Sequence, residues 1–317
     1  MSEAKSIDLF VQKQLELRAE VAKVIIGQEE VVELLVNALF SKGHALLVGV
    51  PGLAKTLLIN TVSDALGLTF KRIQFTPDLM PSDIVGSEVL GENREFRFIK
   101  GPIFANIVLA DEINRTPPKT QSALLEAMQE KSVTAAGHRY ELDAPFFVLA
   151  TQNPIEQEGT YPLPEAQLDR FMYNIWVDYP SYEEEVDVVK GTTGGQNVKV
   201  NAVLKKEEII FFQDLIRKIP VSDNVVEYAV GLVSKTRPGR GRSPEMIDKY
   251  VSWGAGPRAS QYLILGAKTH AAMQGKYSPD IKDVQAVATS VLRHRLVRNY
   301  KAEAEGYTIE RIISEIL

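Results

Sequence analysis

The sequence predicts an α/β fold with helices on both faces of a mostly parallel sheet, followed by an all-helical region. Three observations predict it. A glycine-containing loop lies between a strand pattern and a helix pattern at residues 44–66, and another apolar run ends in two carboxylates at 107–112. Further short apolar runs alternate with helical stretches, and strand patterns almost vanish after residue 200. Such alternation favours a three-layer α/β/α domain with a separate helical domain behind it.

The segment from His44 to Thr56, HALLVGVPGLAKT, has the order that a phosphate-binding P-loop requires. An apolar strand stops at Gly49, the loop ends in Lys55 and Thr56, and an apolar helix follows. Backbone N–H groups of such a loop surround phosphate oxygens, and the helix directs its positive end at them. The lysine adds a charge for the phosphates and the threonine a hydroxyl for Mg²⁺. The predicted binding positions are Gly49, Val50, Pro51, Gly52, Leu53, Ala54, Lys55, Thr56 and Leu57.

One position departs from the usual P-loop pattern, because Ala54 stands where glycine normally precedes the lysine. Alanine avoids positive φ, so the pattern predicts that φ of Ala54 is below zero. The alternative is an ordinary strand–turn–helix segment with a solvated lysine. The specificity of the motif favours nucleotide binding.

The composition excludes several classes of site. The chain has 317 residues, a net charge of −5 and no cysteine, which excludes disulfides, thiolate metal sites and cysteine nucleophiles. It carries no overall basic signal for nucleic acid, and its four histidines do not pair at metal-ligand spacing. The first residues lack a signal-peptide layout, and no apolar stretch approaches the roughly 20 residues that span a bilayer. We therefore expect a cytoplasmic protein.

The apolar periodicity predicts the order of the elements. Gly67 is expected to end the helix after the loop. Two segments, 88–99 and 132–142, read as β-hairpins inserted beside the core, and each is as consistent with solvent-facing decoration as with function. A turn-rich connector near 190–200 separates an α/β domain (1–190) from a helical domain (200–317). The predicted helices are 8–24, 29–39, 55–66 and 183–189, and the predicted strands are 46–48, 70–75, 107–110, 146–150 and 172–177.

Asp111 and Glu112 end the buried strand pattern IVLADE. Ligands of open α/β sheets bind at the carboxyl ends of the strands, so both carboxylates are expected at the site edge. Asp111 can support Mg²⁺ and Glu112 can polarise an attacking water. Asn153 follows another strand and can hydrogen-bond a phosphate or the water. Its alternative role is to cap a turn before Pro154.

Arginines follow in two later motifs. Arg170 is either an ion-pair partner of Asp169 or an arginine finger for a neighbouring subunit. Arg258 begins an amphipathic helix, where an arginine is unfavourable beside the helix dipole and therefore suggests a functional partner such as a phosphate. The basic loop 235–242, KTRPGRGR, is expected to be a solvated surface loop, with contact to an anionic partner or subunit as the alternative.

In this order, the motifs resemble those of the MoxR family of AAA+ ATPases. The resemblance runs from about Ile25 to Tyr300, and it turns Ala54 into support, since loops of this family tend to carry alanine there. The matching stretches are GVPGLAKT (49–56), ADEINR (110–115), TQNP (151–154), LPEAQLDRF (163–171), WGAGPRA (253–259) and VLRHR (291–295).

The resemblance implies ATP and Mg²⁺ as cofactors and ring oligomers, commonly hexamers, with nucleotide between subunits. It implies chaperone-like remodelling of a protein client, often with a partner that carries a von Willebrand factor A domain. Asn153 would be sensor 1, Arg170 the finger acting in trans and Arg258 sensor 2. Arg115 is a second candidate for an inter-subunit contact. The hairpins at 88–99 and 132–142 would be the insert in helix 2 and the insert before sensor 1.

Two other functions stay open at this point. Related AAA+ helicases carry hairpin inserts, so a DNA-processing motor is one alternative. The acidic net charge and the hairpin tips around Gly91 and Gly137, which are not rich in lysine or arginine, argue against it. A scaffold that binds ATP without turnover is the other, and it would need neither Glu112 nor Arg170. The sequence does not name the client.

Overall fold

A five-stranded, wholly parallel sheet forms the centre of the molecule, in the order β2-β5-β8-β1-β9. The computed structural model describes residues 3–90, 95–155, 159–194 and 198–317. The strands within these residues are β1 (Ala45–Val48), β2 (Phe70–Gln74), β3 (Gly86–Leu90), β4 (Phe96–Lys100), β5 (Ile107–Asp111), β6 (Ser132–Ala135), β7 (His138–Glu141), β8 (Phe147–Gln152), β9 (Tyr173–Trp176), β10 (Val251–Trp253) and β11 (Val297–Arg298).

Helices precede the sheet, alternate with its strands and make up most of the chain after it. The described helices are α1 (Glu3–Ala22), α2 (Glu29–Phe40), α3 (Lys55–Ala65), α4 (Pro81–Val85), α5 (Pro118–Glu130), α6 (Glu165–Leu168), α7 (Tyr182–Thr193), α8 (Lys206–Lys218), α9 (Asp223–Lys235), α10 (Glu245–Tyr250), α11 (Pro257–Met273), α12 (Ile281–Leu292), α13 (Tyr300–Ala304) and α14 (Ile309–Ile316). None of them is both long and apolar enough to cross a membrane.

The burial of the strands explains their sequences. Every residue of β1 and β5 is buried, as expected of inner parallel strands covered on both faces. In the edge strand β2 only Ile73 is buried, which explains its mixture of apolar and polar residues. Because the strands are parallel, the carboxyl ends of β1, β5 and β8 meet at one edge of the sheet. The predicted strands and the parallel sheet are therefore confirmed.

The two predicted hairpins are present beside the core. β3 pairs antiparallel with β4, and β6 pairs antiparallel with β7. Phe98 of the first hairpin stacks on Tyr140 of the second, with ring centroids 4.3 Å apart. The two inserts therefore pack together. The predicted tip of the first hairpin, residues 91–94, lies outside the described residues.

The region after residue 205 is helical apart from a short ribbon, in which β10 pairs antiparallel with β11. Sequence periodicity did not predict this ribbon, because strands of two and three residues are too short to show alternation. The helical region shares one continuous core with α1, α2 and one face of the sheet. At this junction Asn37 donates to the carbonyl of Gly266 at 3.1 Å and accepts from the Tyr173 hydroxyl at 2.7 Å.

The predicted boundaries of α2 and α3 are accurate to one residue, whereas α1 begins at Glu3 instead of residue 8 and α7 ends at Thr193 instead of residue 189. Gly67 follows the end of α3 with φ +62°, the left-handed conformation expected after a helix. The charged helix predicted at 183–189 is part of α7. The domain boundary at 190–200 remains a prediction, and residues 195–197 of the connector lie outside the described residues.

Candidate nucleotide-binding site

The P-loop and the ends of two neighbouring strands enclose one pocket. Its cavity of about 330 Å³ lies at the carboxyl edge of the sheet, after β1, β5 and β8. The structure thus brings together side chains that are up to about a hundred positions apart in sequence. The lining residues are Pro51, Gly52, Leu53, Ala54, Lys55, Thr56, Asp111, Glu112, Thr151, Gln152 and Asn153.

Two glycines of the loop are required by its geometry. A Cβ added at Gly49 would lie 2.4 Å from the carbonyl oxygen of Val177, so the loop can leave β1 beside β9 only without a side chain. Gly52 has φ +89°, which favours glycine. Ala54 also has positive φ, at +51°, and it caps α3 in the left-handed conformation. The prediction of negative φ at Ala54 was therefore wrong, because the turn into α3 imposes this conformation at a cost of roughly 1–2 kcal/mol.

The ammonium group of Lys55 lies inside the loop. Its Nζ donates to the carbonyl of Val50 at 3.1 Å and to that of Gly49. Burial lowers the pKa of Lys55, and the charges of Asp111 and Glu112 partly oppose this effect. An anion bound in the loop would stabilise the charged form of this lysine, as phosphate binding requires.

The two strand-end carboxylates are held by different partners. Asp111 is buried, and its Oδ1 accepts a hydrogen bond from the hydroxyl of Thr151 at 2.6 Å. Its Oδ2 accepts from Nε and Nη2 of Arg72 at 2.9 and 2.6 Å. Glu112, with φ +57°, accepts at Oε2 from Gln74 Nε2 at 2.7 Å and from Nη1 of Arg115 at 3.1 Å. The hydroxyl of Thr151 also accepts from the backbone N–H of Glu112 at 2.8 Å.

Sequence reasoning missed the roles of Arg72, Gln74 and Thr151. Arg72 and Gln74 lie on the edge strand β2, where Gln74 pairs in register with Asp111. By itself, the alternating pattern of β2 predicts only a strand. Once β2 is placed beside β5, the same alternation puts both polar side chains next to the carboxylates, so the strand order was the missing information.

Asn153 caps a turn and also lines the pocket. Its Oδ1 accepts from the backbone N–H of Ile155 at 3.1 Å, which stabilises the turn around Pro154. The side chain is buried and lines the pocket, and its amide N–H donors have no recorded partner among the described residues. The turn therefore fixes the side chain while leaving its donors for a ligand.

Arg170 and Arg258 lie in a different place, which we call the cationic pocket. It is lined by Lys42, His44, Met128, Gln129, Lys131, Arg170, Arg258 and Tyr262. His44 immediately precedes β1 and Gly49 immediately follows it, so the cationic pocket and the P-loop lie at opposite edges of the sheet, roughly 16 Å apart along the strand. Arg258 therefore lies away from the P-loop of its own chain, and its role as sensor 2 remains a prediction.

Asp169 organises the arginines around this junction. Its Oδ2 accepts from Nη1 of Arg258 at 2.9 Å and its Oδ1 from Nε of Arg295 at 2.8 Å. Arg170 makes no ion pair within the part of the chain that the structure describes. Its backbone N–H donates to the carbonyl of Gln167 at 3.1 Å, and its carbonyl accepts from the Tyr262 hydroxyl at 3.2 Å. Pairing of Arg170 with Asp169 is thus excluded in this structure, and Arg258 is an ion-pair partner of Asp169 at the surface rather than an unpaired arginine.

The oxygen donors of the P-loop pocket suit Mg²⁺. The hydroxyl of Thr56 and the carboxylate of Asp111 line the same cavity, and Mg²⁺ prefers such hard oxygen ligands together with several waters. Among the described residues there is no cluster of three or more histidine, aspartate or glutamate side chains that would hold a metal alone. The residues present therefore fit an ion that is brought in with a phosphate ligand.

Comparison with known proteins agrees with this geometry. Residues 44–173 match the model of the ATPase family associated with various cellular activities (AAA), and residues 244–316 match the AAA lid domain. The chain is 44% identical to the Chaperone MoxR1 of Mycobacterium tuberculosis over 94% of this chain and 79% of that protein. It is 32% identical to the Protein MoxR of Methylorubrum extorquens over 87% of this chain and 85% of that protein. The chain belongs to the MoxR family of AAA+ ATPases.

Further similarities extend over most of the length of this MoxR-family chain. It is 44% identical to the uncharacterised protein YeaC of Bacillus subtilis over 93% of this chain and 90% of that protein. A crystal structure of a candidate ATPase from Cytophaga hutchinsonii superposes with a TM-score of 0.92 at 43% identity, covering 98% of this chain and 95% of that one. The AAA+ fold with a helical lid is thereby established for this chain.

The basic loop 235–242 is partly structural in this lid. Nζ of Lys235 donates to the carbonyl of Ile316 at 3.0 Å, and Nε of Arg237 donates to that of Ala255 at 2.9 Å. Arg240 and Arg242 are exposed, as predicted for a surface loop. Contact of these two arginines with a partner remains a prediction.

Proposed function

We propose that this MoxR-family protein binds ATP with Mg²⁺ in the P-loop pocket and hydrolyses it to ADP and phosphate. The observation that carries the proposal is the convergence of Lys55 and Thr56 with Asp111, Glu112 and Asn153 on one cavity. The loop N–H groups and Lys55 would hold the phosphates, while Thr56 and Asp111 would hold Mg²⁺, which would neutralise charge on them when bound. The arrangement supports positioning and charge stabilisation, the two effects that phosphoryl transfer needs.

Glu112 is the proposed general base in this reaction. It would orient a water toward the terminal phosphorus and take its proton while the bond from phosphorus to the bridging oxygen breaks. Gln74 and Arg115 hold its Oε2, so the second oxygen, Oε1, remains for the water. The amide of Asn153 would donate to the phosphate or to the water. Arg115 contacts Glu112 within one chain, which does not support the alternative role of Arg115 at a subunit interface.

Arg170 and Arg258 are proposed to act on the nucleotide of a neighbouring subunit. Both line the cationic pocket, at the edge of the sheet opposite to the P-loop of the same chain. In a head-to-tail contact, the cationic pocket of one subunit would face the P-loop pocket of its neighbour, which would bring these arginines to the neighbour's phosphates. Repetition of such a contact can close into a ring. The resemblance noted above favours a hexamer. In this arrangement Arg258 works in trans, beside Arg170.

We infer that hydrolysis drives chaperone-like remodelling of a protein client in the cytoplasm. The name of the relative MoxR1 and the MoxR family membership support this inference. A partner with a von Willebrand factor A domain remains an expectation from the family. Stimulation of ATP hydrolysis by DNA would favour the helicase alternative instead.

Two substitutions test the ATPase proposal. Lys55→Ala should abolish binding of a fluorescent ATP analogue, because the loop loses its cation. Glu112→Gln should keep binding but lower the hydrolysis rate at least about a hundredfold, because the base is lost. Chelation of Mg²⁺ with EDTA should stop hydrolysis. Lys282→Ala, which changes an exposed lysine of the lid, is the matched control and should leave both properties intact. Full turnover by the Glu112 variant would refute the assignment of the base.

A further inference from the structure

Basic side chains dominate the cationic pocket, and no carboxylate of the described residues lines its cavity of about 200 Å³. Of the four cations, Lys42 is paired with Asp214 at 2.7 Å and Arg258 with Asp169 at 2.9 Å. Arg170 and Lys131 have no ion-pair partner within residues 3–90, 95–155, 159–194 and 198–317. The pocket therefore holds two positive charges that no anion of the described chain compensates.

Lys131 reaches this pocket from the end of α5. It follows the helix with φ +52°, a left-handed conformation that glycine adopts at lower cost, and its backbone N–H closes the helix on the carbonyl of Ala127. Partial burial and the nearby charges of Lys42 and Arg217 lower its pKa. His44 beneath it adds no charge, because burial lowers the pKa of His44 to about 4. Lys131 is thus held among like charges, where an anion would stabilise it.

The P-loop pocket shows the opposite imbalance. Among the described residues that line it, Lys55 is the only cation. The arginines next to it are already engaged, Arg72 with Asp111 at 2.6 Å and Arg115 with Glu112 at 3.1 Å. A nucleoside triphosphate bound there would lie beside two carboxylates and one cation, Lys55, whose partners are backbone carbonyls rather than carboxylates. The P-loop pocket, at the carboxyl edge of the sheet, is therefore poor in positive charge. The cationic pocket, at the opposite edge, holds positive charges that have no ion-pair partner among the described residues.

We propose that Lys131 contacts the terminal phosphate of the nucleotide bound to a second copy of this chain, as a third basic residue beside Arg170 and Arg258. The proposal rests on the proposed function, because it requires ATP in the neighbouring P-loop and a head-to-tail contact. The ammonium group would stabilise the negative charge that develops on the transferred phosphoryl group. Each active site would then draw on residues that follow α5 and α6 and on the first turn of α11 of the neighbour.

A purely structural role is the competing explanation for Lys131. A lysine at the end of a helix interacts favourably with the helix dipole, without any partner subunit. The two explanations differ in which subunit is affected when the charge of Lys131 is removed. A structural role lowers stability within the altered chain, whereas the proposed role lowers hydrolysis in its neighbour.

The first experiment removes the charge in two ways. Lys131→Met and Lys131→Asn should each lower kcat for ATP hydrolysis by roughly tenfold to a hundredfold at unchanged affinity for ATP. Asparagine tolerates positive φ, so its variant separates loss of charge from backbone strain. Lys131→Arg should recover most of the rate. Lys282→Met is the matched control and should behave as the unaltered protein. Unaltered kcat in both neutral variants would overturn the proposal.

The second experiment tests which subunit supplies the lysine. Lys131→Met chains, whose base is intact, are mixed with Glu112→Gln chains, whose cationic pocket is intact. Hydrolysis should rise above the sum of the two parents, because the second chain supplies Lys131 to the active site of the first. Mixing Arg170→Ala with Glu112→Gln is the reference. Recovery with Arg170→Ala but none with Lys131→Met would overturn the inference alone. Failure of the unaltered protein to hydrolyse ATP would overturn the proposed function itself.

Discussion

Replacement of Asp169 by alanine should destabilise the junction between the α/β domain and the lid. Arg295 is only 2% exposed and donates to Asp169 Oδ1 at 2.8 Å. Loss of one partner of a buried ion pair typically costs 3–5 kcal/mol, because the remaining charge stays buried. The carboxylate is 28% exposed, and Arg295 keeps the carbonyls of Asp169 and Phe171 as acceptors. We therefore expect the lower end of that range, about 3 kcal/mol.

The contact between Asp169 and Arg258 should add little to this value. The Arg258 side chain is 39% exposed, and exposed pairs contribute below about 1 kcal/mol. Urea unfolding followed by circular dichroism would measure the change. Asp187→Ala is the matched control, since Asp187 pairs with Lys190 at 3.5 Å and is 61% exposed, and it should cost less than about 0.5 kcal/mol. A free energy of unfolding for Asp169→Ala within about 0.5 kcal/mol of the unaltered protein would refute the reasoning.

Three further predictions concern the site and the core. Gly49→Ala should destabilise the protein by about 1–3 kcal/mol in thermal unfolding and weaken ATP binding, because the added Cβ would lie 2.4 Å from a carbonyl oxygen. Gly191→Ala is the control, since a Cβ at this exposed position of α7 meets no atom within 4 Å, and it should be neutral or slightly stabilising. Gln74→Ala should lower kcat by roughly tenfold with unchanged ATP affinity, because Glu112 loses a hydrogen bond of 2.7 Å that positions it, and Lys71→Ala on the same strand should not. Burial lowers the pKa of His44 from 6.5 to about 4. Below about pH 6.5 the imidazole is therefore protonated in the unfolded chain, whereas in the folded chain it stays neutral down to about pH 4. The free energy of unfolding should therefore fall by about 1.4 kcal/mol between pH 7.5 and 5.5 because of His44. In urea unfolding, the fall measured for His44→Gln over the same pH range should be smaller by about 1.4 kcal/mol.

Much of the P-loop pocket could be predicted from local sequence. Lys55 and Thr56 follow one strand, Asp111 and Glu112 end a second, and Asn153 follows a third. Parallel strands place their carboxyl ends at one edge of the sheet, so recognition of the strands was sufficient to predict that these residues meet. The same reasoning located both hairpins, because alternation around a glycine turn is a local signal.

Local sequence did not predict the hydrogen-bond partners of the carboxylates. Arg72 and Gln74 reach Asp111 and Glu112 only because β2 lies beside β5 in register. Strand order depends on how the helices between the strands pack, and no short stretch of sequence records it. The positive φ of Ala54 has a similar origin, since the entry into α3 from β1 sets it.

The sequence by itself determined the α/β class, the helical lid and the residues of the P-loop pocket, because each depends on short-range periodicity and on the geometry of parallel strands. Only the tertiary structure decided where Arg170 and Arg258 lie. Arg258 and Arg295 meet Asp169 across 89 and 126 positions of sequence, and the docking of the lid places the cationic pocket at the far edge of the sheet. Such contacts join elements that are far apart in sequence, so their partners are fixed by the packing of whole domains and not by local pattern.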